Sequence, residues 1–293
     1  MRVRGSDGGA IEVELAGDSA GTPLLLCHGL ADSRISARLL APAARELRVL
    51  LVAPDRPGTG RSEPRRLRRL TDWASDAAAV LDALQLETTA VLGISGGAAF
   101  AAACAATLPE RVRALALVSP LGQPEWGTEG MAGGERASLA VARRAPACGG
   151  WFLGRLAALG RRSPALFLRL ATSELPEVDR LELARAEPRD AFVVGYIEAF
   201  RIGSAGVAQD LRLLVRPWGF DLGAIRAPTW IHHGEADTTV PPEHARRFAA
   251  AIPRAEVRIH PGHGHFSLLG AAAAEIIAPL AAPAQRRARA AGG

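Results

Sequence analysis

Apolar positions along this 293-residue chain follow two rhythms, and the elements can be read from them. Short apolar runs, rich in β-branched residues and bounded by glycine, proline or charge, predict strands at 11–15, 24–27, 49–53, 89–92, 115–118, 229–233 and 257–259. Longer alanine- and leucine-rich stretches predict helices at 70–84, 98–107, 243–251 and 271–282. Strands and helices alternate, so the expected fold class is α/β, with a doubly wound, mainly parallel sheet covered on both faces. Between about 121 and 222 the strands disappear and helical segments such as 151–159 and 165–172 take over. The expected division is a core of 1–120 and 223–282, a helical lid or cap of 121–222 above the sheet's C-terminal edge, and a disordered tail of 283–293, where almost nothing could be buried.

Composition changes this picture little. The uncharged stretch 90–109 is long enough to span a bilayer, but Gly93, Gly96 and Gly97 interrupt it and alanine is only weakly apolar, so a buried strand followed by a buried helix is the better reading. Cys27, Cys104 and Cys148 are too few, and too apolar in setting, to suggest a disulfide framework. The charged N-terminus lacks the apolar region of a secretory signal, which makes a cytoplasmic location the expectation. The net charge is +5 and lysine is absent. Arginines mostly interleave with acidic residues, as on a solvated surface, and the run Arg65, Arg66, Arg68 and Arg69 reads as an exposed helix start. Neither nucleic acid nor membrane is expected as a partner.

The chemistry is concentrated at Gly93-Ile94-Ser95-Gly96-Gly97, a G-x-S-x-G run between a strand-like and a helix-like segment. A serine there stands on a sharp turn, where any side chain at Gly93 or Gly97 would meet the adjoining elements. A serine hydroxyl is a poor nucleophile at neutral pH and needs a base. His265, in the glycine-rich loop Pro261-Gly262-His263-Gly264-His265-Phe266, is the candidate, with His263 as its rival. The imidazole needs a carboxylate, and Asp237 follows the strand 229–233 in a tight turn. Glu235 is the rival acid and Asp210 a more distant one; the 28 residues from 237 to 265 leave room for the helix and strand expected between acid and base. Asp55 reads as a loop stabiliser and His28 as a loop-shaping residue more than an acid or base. His232 and His233 enter the acid turn on a strand, and neither has a partner pattern for a metal; no metal or cofactor is expected.

Beside the Ser95 elbow, four motifs in the right order resemble the α/β-hydrolase superfamily, specifically its single-domain, lidded, esterase-like members: His28-Gly29 after a strand, Asp55 to Ser62 as D-x-x-G-x-G-x-S, the Asp237 turn and the Gly264-His265-Phe266 loop. The resemblance spans most of the chain. It implies a nucleophile Ser95, base His265 and orienting acid Asp237, with the backbone N–H groups of Leu30 and Gly96 as the oxyanion hole. The lid would supply the pocket for an apolar small-molecule ester, and candidate wall residues are His28, Trp126, Trp151, Phe152, Tyr196 and Phe266, with Phe167, Phe192 and Phe200 beside them. Serine at the elbow departs from the family's dehalogenases and epoxide hydrolases, which use aspartate there. Gly96 stands where proline iminopeptidases carry tryptophan. Ester hydrolysis is the expected activity. A non-hydrolytic lyase or cyclase, and a ligand receptor that keeps the triad, are the alternatives.

Overall fold

Leu24 and Leu26 face one side of the central sheet while Leu25 and Cys27 face the other, and the same alternation recurs on every inner strand, so two separate cores form. A computed structural model of the protein describes residues 1–67 and 69–281. Eight strands make one sheet: β1 (Arg2–Arg4), β2 (Ala10–Gly17), β3 (Thr22–Cys27), β4 (Val49–Pro54), β5 (Thr89–Ile94), β6 (Val112–Val118), β7 (Thr229–Gly234) and β8 (Ala255–His260). Their spatial order is β1-β2-β4-β3-β5-β6-β7-β8; β1 and β2 run antiparallel to their neighbours and all other pairs are parallel. The seven strands foreseen in the sequence are β2 to β8. β1 was not foreseen, because only Val3 of its three residues is buried.

On one face of the sheet α1 (Ala37–Glu46) packs with the later α11 (Ser267–Ala271) and α12 (Ala273–Ala281); on the other lie α2 (Leu70–Ala83), α3 (Gly97–Thr107) and α10 (Pro242–Ala251). α3 is buried all round from Gly97 to Ala105, and its alanines let it lie close against the sheet. Thus the uncharged stretch 90–109 forms β5, a turn and α3, and no described helix is long and apolar enough to cross a membrane. α1, with Pro42 inside it, has no counterpart in the sequence reading.

Between β6 and β7 come six helices: α4 (Gly133–Arg144), α5 (Pro146–Arg162), α6 (Pro164–Ala171), α7 (Glu177–Ala184), α8 (Ala186–Ala199) and α9 (Ala205–Leu214). No strand occurs there among the described residues. This insertion is tied to the core at several points. Ser33 Oγ donates to Gly195 O at 3.2 Å, Arg34 Nη2 pairs with Glu198 at 2.9 Å, and Leu67 N–H donates to Gln209 Oε1 at 2.7 Å. The expected tail at 283–293 lies outside the described residues, as does Arg68 of the arginine run.

The chain winds from β3 to β4 in one direction and then returns to place β5 on the other side of β3, with Cys27 in register with Gly93. Such a reversal opens a crevice at the strands' C-terminal ends, where open α/β sheets bind ligands.

Candidate active site

Ser95 occupies that crevice. It follows the last residue of β5, is separated from α3 by Gly96 alone, and holds φ at +53°, a left-handed conformation that costs an ordinary residue on the order of 1–3 kcal/mol. Its neighbours explain how the turn fits. A Cβ on Gly93 would stand 2.6 Å from Ala101 Cβ and 2.7 Å from Ala98 Cα, and one on Gly97 would overlap the carbonyl oxygens of Cys27 and His28. The turn is held by backbone bonds: Ser95 N–H donates to Val118 O at 2.9 Å, and Ser95 O accepts from Ala98 and Leu121.

Asp237 and His265 meet. His265 Nδ1 lies 2.7 Å from Asp237 Oδ2, and both residues are buried. Asp237 Oδ1 accepts from the backbone N–H groups of Thr239 and Val240, each at 2.9 Å, and His233 Nε2 lies 3.2 Å from Oδ2. Burial opposes the charge on Asp237, but the His265 cation and the hydrogen bonds from His233 and His265 outweigh it and hold the carboxyl well below its usual range. Burial likewise disfavours the His265 cation, and here the charge and hydrogen bond of Asp237, with the charges of Asp179 and Glu135, prevail and raise its pKa. Among the described residues no hydrogen bond joins the Ser95 hydroxyl to His265.

The rivals are placed elsewhere. Glu235 is exposed, while Asp210 pairs with Arg56 at 2.8 Å, so neither reaches His265. His263 makes no contact with Asp237 among the described residues, and its Nδ1 is enclosed without a partner.

Leu30 and Gly96 are neighbours: a Cβ on Gly96 would come within 3.4 Å of Leu30 N. Neither backbone N–H donates to another group among the described residues. The loop that carries Leu30 is anchored by Arg56, which donates from Nη1 to His28 O at 2.7 Å and from Nη2 to Gly29 O at 2.8 Å. Arg56 is itself buried, paired with Asp210 of α9 and stacked 4.3 Å above the Phe100 ring. His28 stands behind this loop, with Nδ1 3.0 Å from Gly29 O and Nε2 accepting from Arg56 N–H at 3.4 Å. Burial first and Arg56 second push its pKa well down, and with both ring nitrogens engaged within the loop it serves as a neutral brace. Asp55 stabilises its own loop, accepting from Arg34 N and Nη1 at 2.7 and 2.6 Å and from Arg61 N at 3.1 Å.

Asp179 of α7 is a residue the sequence reading missed. Fully buried, its carboxylate accepts from the N–H groups of His265 (2.8 Å), Phe266 (3.0 Å) and Ser267 (2.9 Å), and from Ser267 Oγ (2.8 Å). The histidine loop is thereby hung from the helical insertion.

The aromatic wall candidates separate into three groups. Phe266 stands 5.2 Å from the His265 ring and 5.1 Å from Phe192, which leads into a cluster with Phe167, Tyr196 and Phe200. Trp126 packs instead on Phe248 and His244 of α10, at 4.9 and 6.0 Å. Trp151 and Phe152 stand 63 % and 58 % exposed on α5, so the structure places them on the surface rather than in an enclosed wall. A cavity of about 20 Å³ lined by Leu121, Gly122, Leu139, Leu214 and His244 lies on the β6 side of the crevice, enough for a single water.

Comparison with known proteins agrees with this architecture. Residues 22–272 match the family model described as alpha/beta hydrolase fold. An uncharacterized hydrolase of Bacillus subtilis, YcgS, is 28 % identical over 92 % of this chain and 93 % of that protein. A 2-hydroxymuconate semialdehyde hydrolase of Pseudomonas putida is 28 % identical over 84 % of this chain and 82 % of its own length. Among solved structures, an alpha/beta hydrolase fold protein of Nakamurella multipartita superposes with a TM-score of 0.71 at 24 % identity, covering 96 % of this chain and 98 % of that one. A thermophilic esterase of Thermogutta terrifontis gives 0.69 at 21 %, covering 96 % and 99 %. At these identities the structural likeness speaks for the fold alone.

Proposed function

Because the chain belongs to the alpha/beta hydrolase fold family, we propose that it is a serine hydrolase that cleaves a small-molecule carboxylic ester through an acyl-enzyme. The observation that carries this reading is the buried 2.7 Å pair of Asp237 and His265, a base with its orienting acid, at the same sheet edge as a serine held at φ +53°. In the proposed reaction His265 Nε2 takes the Ser95 proton as Oγ attacks the carbonyl carbon. The depressed pKa of Asp237 keeps it ionised, so it fixes the tautomer with Nδ1–H toward the carboxylate and stabilises the imidazolium. The resulting oxyanion is held by the N–H groups of Leu30 and Gly96, donors of a kind whose single loss costs on the order of 10²–10³ in rate. His265 returns the proton to the leaving alcohol, and water then releases the acid. The contact between Ser95 and His265 forms as substrate binds, since catalytic hydrogen bonds are often long in a free enzyme.

The helical insertion acts as a lid in this reading. Substrate enters in this reading as the insertion helices part, and the Phe192, Tyr196 and Phe266 cluster becomes the wall nearest the base. A second reading, hydrolysis of a compound like the 2-hydroxymuconate semialdehyde named for the Pseudomonas putida relative, is favoured by that likeness. Assay of p-nitrophenyl esters of increasing acyl length beside that semialdehyde, with wild type and Ser95→Ala, separates the two. Turnover of the esters, lost in the variant, supports the first; turnover of the semialdehyde alone supports the second. A receptor would bind without releasing product.

A further inference from the structure

On the sheet face opposite the Asp237–His265 pair, three chemistry-bearing side chains from distant parts of the chain converge. His232 lies on β7 next to His233, so the two imidazoles point to opposite faces: His233 toward Asp237, and His232 toward α12. There His232 Nδ1 is 3.0 Å from Nε2 of His260, the last residue of β8, while Glu275 Oε1 of α12 is 3.7 Å from the first and 3.9 Å from the second. Glu275 Oε1 is shut off from solvent and makes no hydrogen bond; Arg258 Nη1, at 2.7 Å, meets it off the hydrogen-bond direction.

These three separations match one face of a coordination tetrahedron. For ligand atoms about 2.0–2.2 Å from a zinc ion, neighbouring ligands stand about 3.4 Å apart, and the observed edges straddle that value, with the His232–His260 hydrogen bond giving way as an ion enters between the rings. We propose that His232, His260 and Glu275 form a binding site for a divalent transition metal of the zinc class, with its fourth position taken by water. Arg258 is 65 % exposed and would turn to the outer carboxylate oxygen or to solvent when the ion enters. Two imidazoles with one carboxylate suit zinc, cobalt or nickel and suit magnesium or calcium poorly.

The bound ion would staple β7, β8 and α12. Because His260 O accepts from Glu235 N–H at 3.0 Å, and five residues on from His260 the chain reaches His265, the staple would brace the acid turn and the histidine loop from behind without touching the Asp237–His265 pair. No short sequence motif could reveal it, since the ligands are 28 and 15 residues apart and belong to three separate elements.

The test uses the tag-free full chain, stripped with EDTA and titrated with zinc chloride alone by calorimetry, with cobalt(II) as a spectroscopic probe. The expected result is one zinc ion per chain, tetrahedral cobalt absorption in the visible, and a rise in Tm of about 5 °C at 100-fold excess over Kd. Glu275→Gln, which keeps the shape of the side chain, should weaken binding by at least about tenfold, and His260→Asn should do the same. His265→Asn should leave zinc binding unchanged. Absence of saturable binding, binding indifferent to both Glu275→Gln and His260→Asn, or binding lost in His265→Asn would each overturn the assignment.

Discussion

Replacing Asp179 with asparagine tests how far the helical insertion holds the machinery in place. The wild-type carboxylate offers acceptors only, and four donors converge on it: three consecutive N–H groups, from His265 to Ser267, and the Ser267 hydroxyl. Whichever way an asparagine amide turns, its NH₂ faces at least one of the buried N–H groups, and there is no room to move away, because a Cβ on Gly264 would already overlap the Asp179 carboxylate. Losing a charge-assisted hydrogen bond costs about 1.5–3 kcal/mol, and leaving a buried donor unsatisfied about 1–3 more. The expected destabilisation is therefore about 3–5 kcal/mol, a fall in Tm of about 10 °C. Two further effects distinguish Asp179 from an ordinary core residue. The loop that carries His265 should relax, and a displacement of about 1 Å would lower kcat by about 10²-fold. Removing a negative charge that raises the His265 pKa should also move the acidic limb of the pH–rate profile to lower pH. Ester hydrolysis from pH 5 to 9, with thermal unfolding of the same samples, measures all three. A variant with wild-type Tm and an unshifted acidic limb would refute the reasoning.

Other expectations follow from the same geometry. In the wild type the base must be neutral to accept the Ser95 proton, and because Asp237 raises the His265 pKa, activity should climb through a midpoint above 6.5; a midpoint below it, followed with a neutral ester, would contradict the assigned electrostatics. The same raised pKa should make His265 stabilising at low pH, with that contribution lost as pH rises through the folded value, and His265→Asn should flatten this part of the stability profile measured by denaturant unfolding. Arg56→Leu strands the buried Asp210 carboxylate and frees the His28 and Gly29 carbonyls, so it should cost about 3–5 kcal/mol in urea unfolding and reduce kcat beyond that loss of folded protein. Gly97→Ala drives a methyl into the Cys27 and His28 carbonyls and should lower soluble yield and Tm, by about 1–3 kcal/mol in stability; an alanine variant as stable as wild type would show the elbow to be looser than described.

What the sequence disclosed follows from where each signal is local. The central strands were legible because parallel strands buried on both faces are continuous apolar runs, as β5 and the 114–118 part of β6 are. β1 was not, with one inward residue in three, and neither was α1, whose buried residues are only Ala37, Leu40 and Ala44 around an interior proline. Ser95 and the two turns bearing Asp237 and His265 were legible because each needs glycines at fixed offsets. Their supports were not: Arg56 and Asp210 meet across 154 residues, and Asp179 reaches His265 across 86. Locally Asp179 looks like any acidic residue in a helix's first turn. Aromatics in the insertion misled for a related reason. Helical spacing tells which residues share a face but not which face turns inward, so Trp151 and Phe152, which lie in the open, read the same as Phe167 and Tyr196, which pack together.

The central claim is that Ser95 is the nucleophile, and active-site titration with a fluorophosphonate tests it most directly. The full-length protein and a folded Ser95→Ala variant would be labelled side by side, and the modified residue located by peptide mass mapping. One adduct per chain, on Ser95, with no labelling of the variant, is the predicted result. Labelling of the variant at another residue, or no labelling of the folded wild type, would contradict the account.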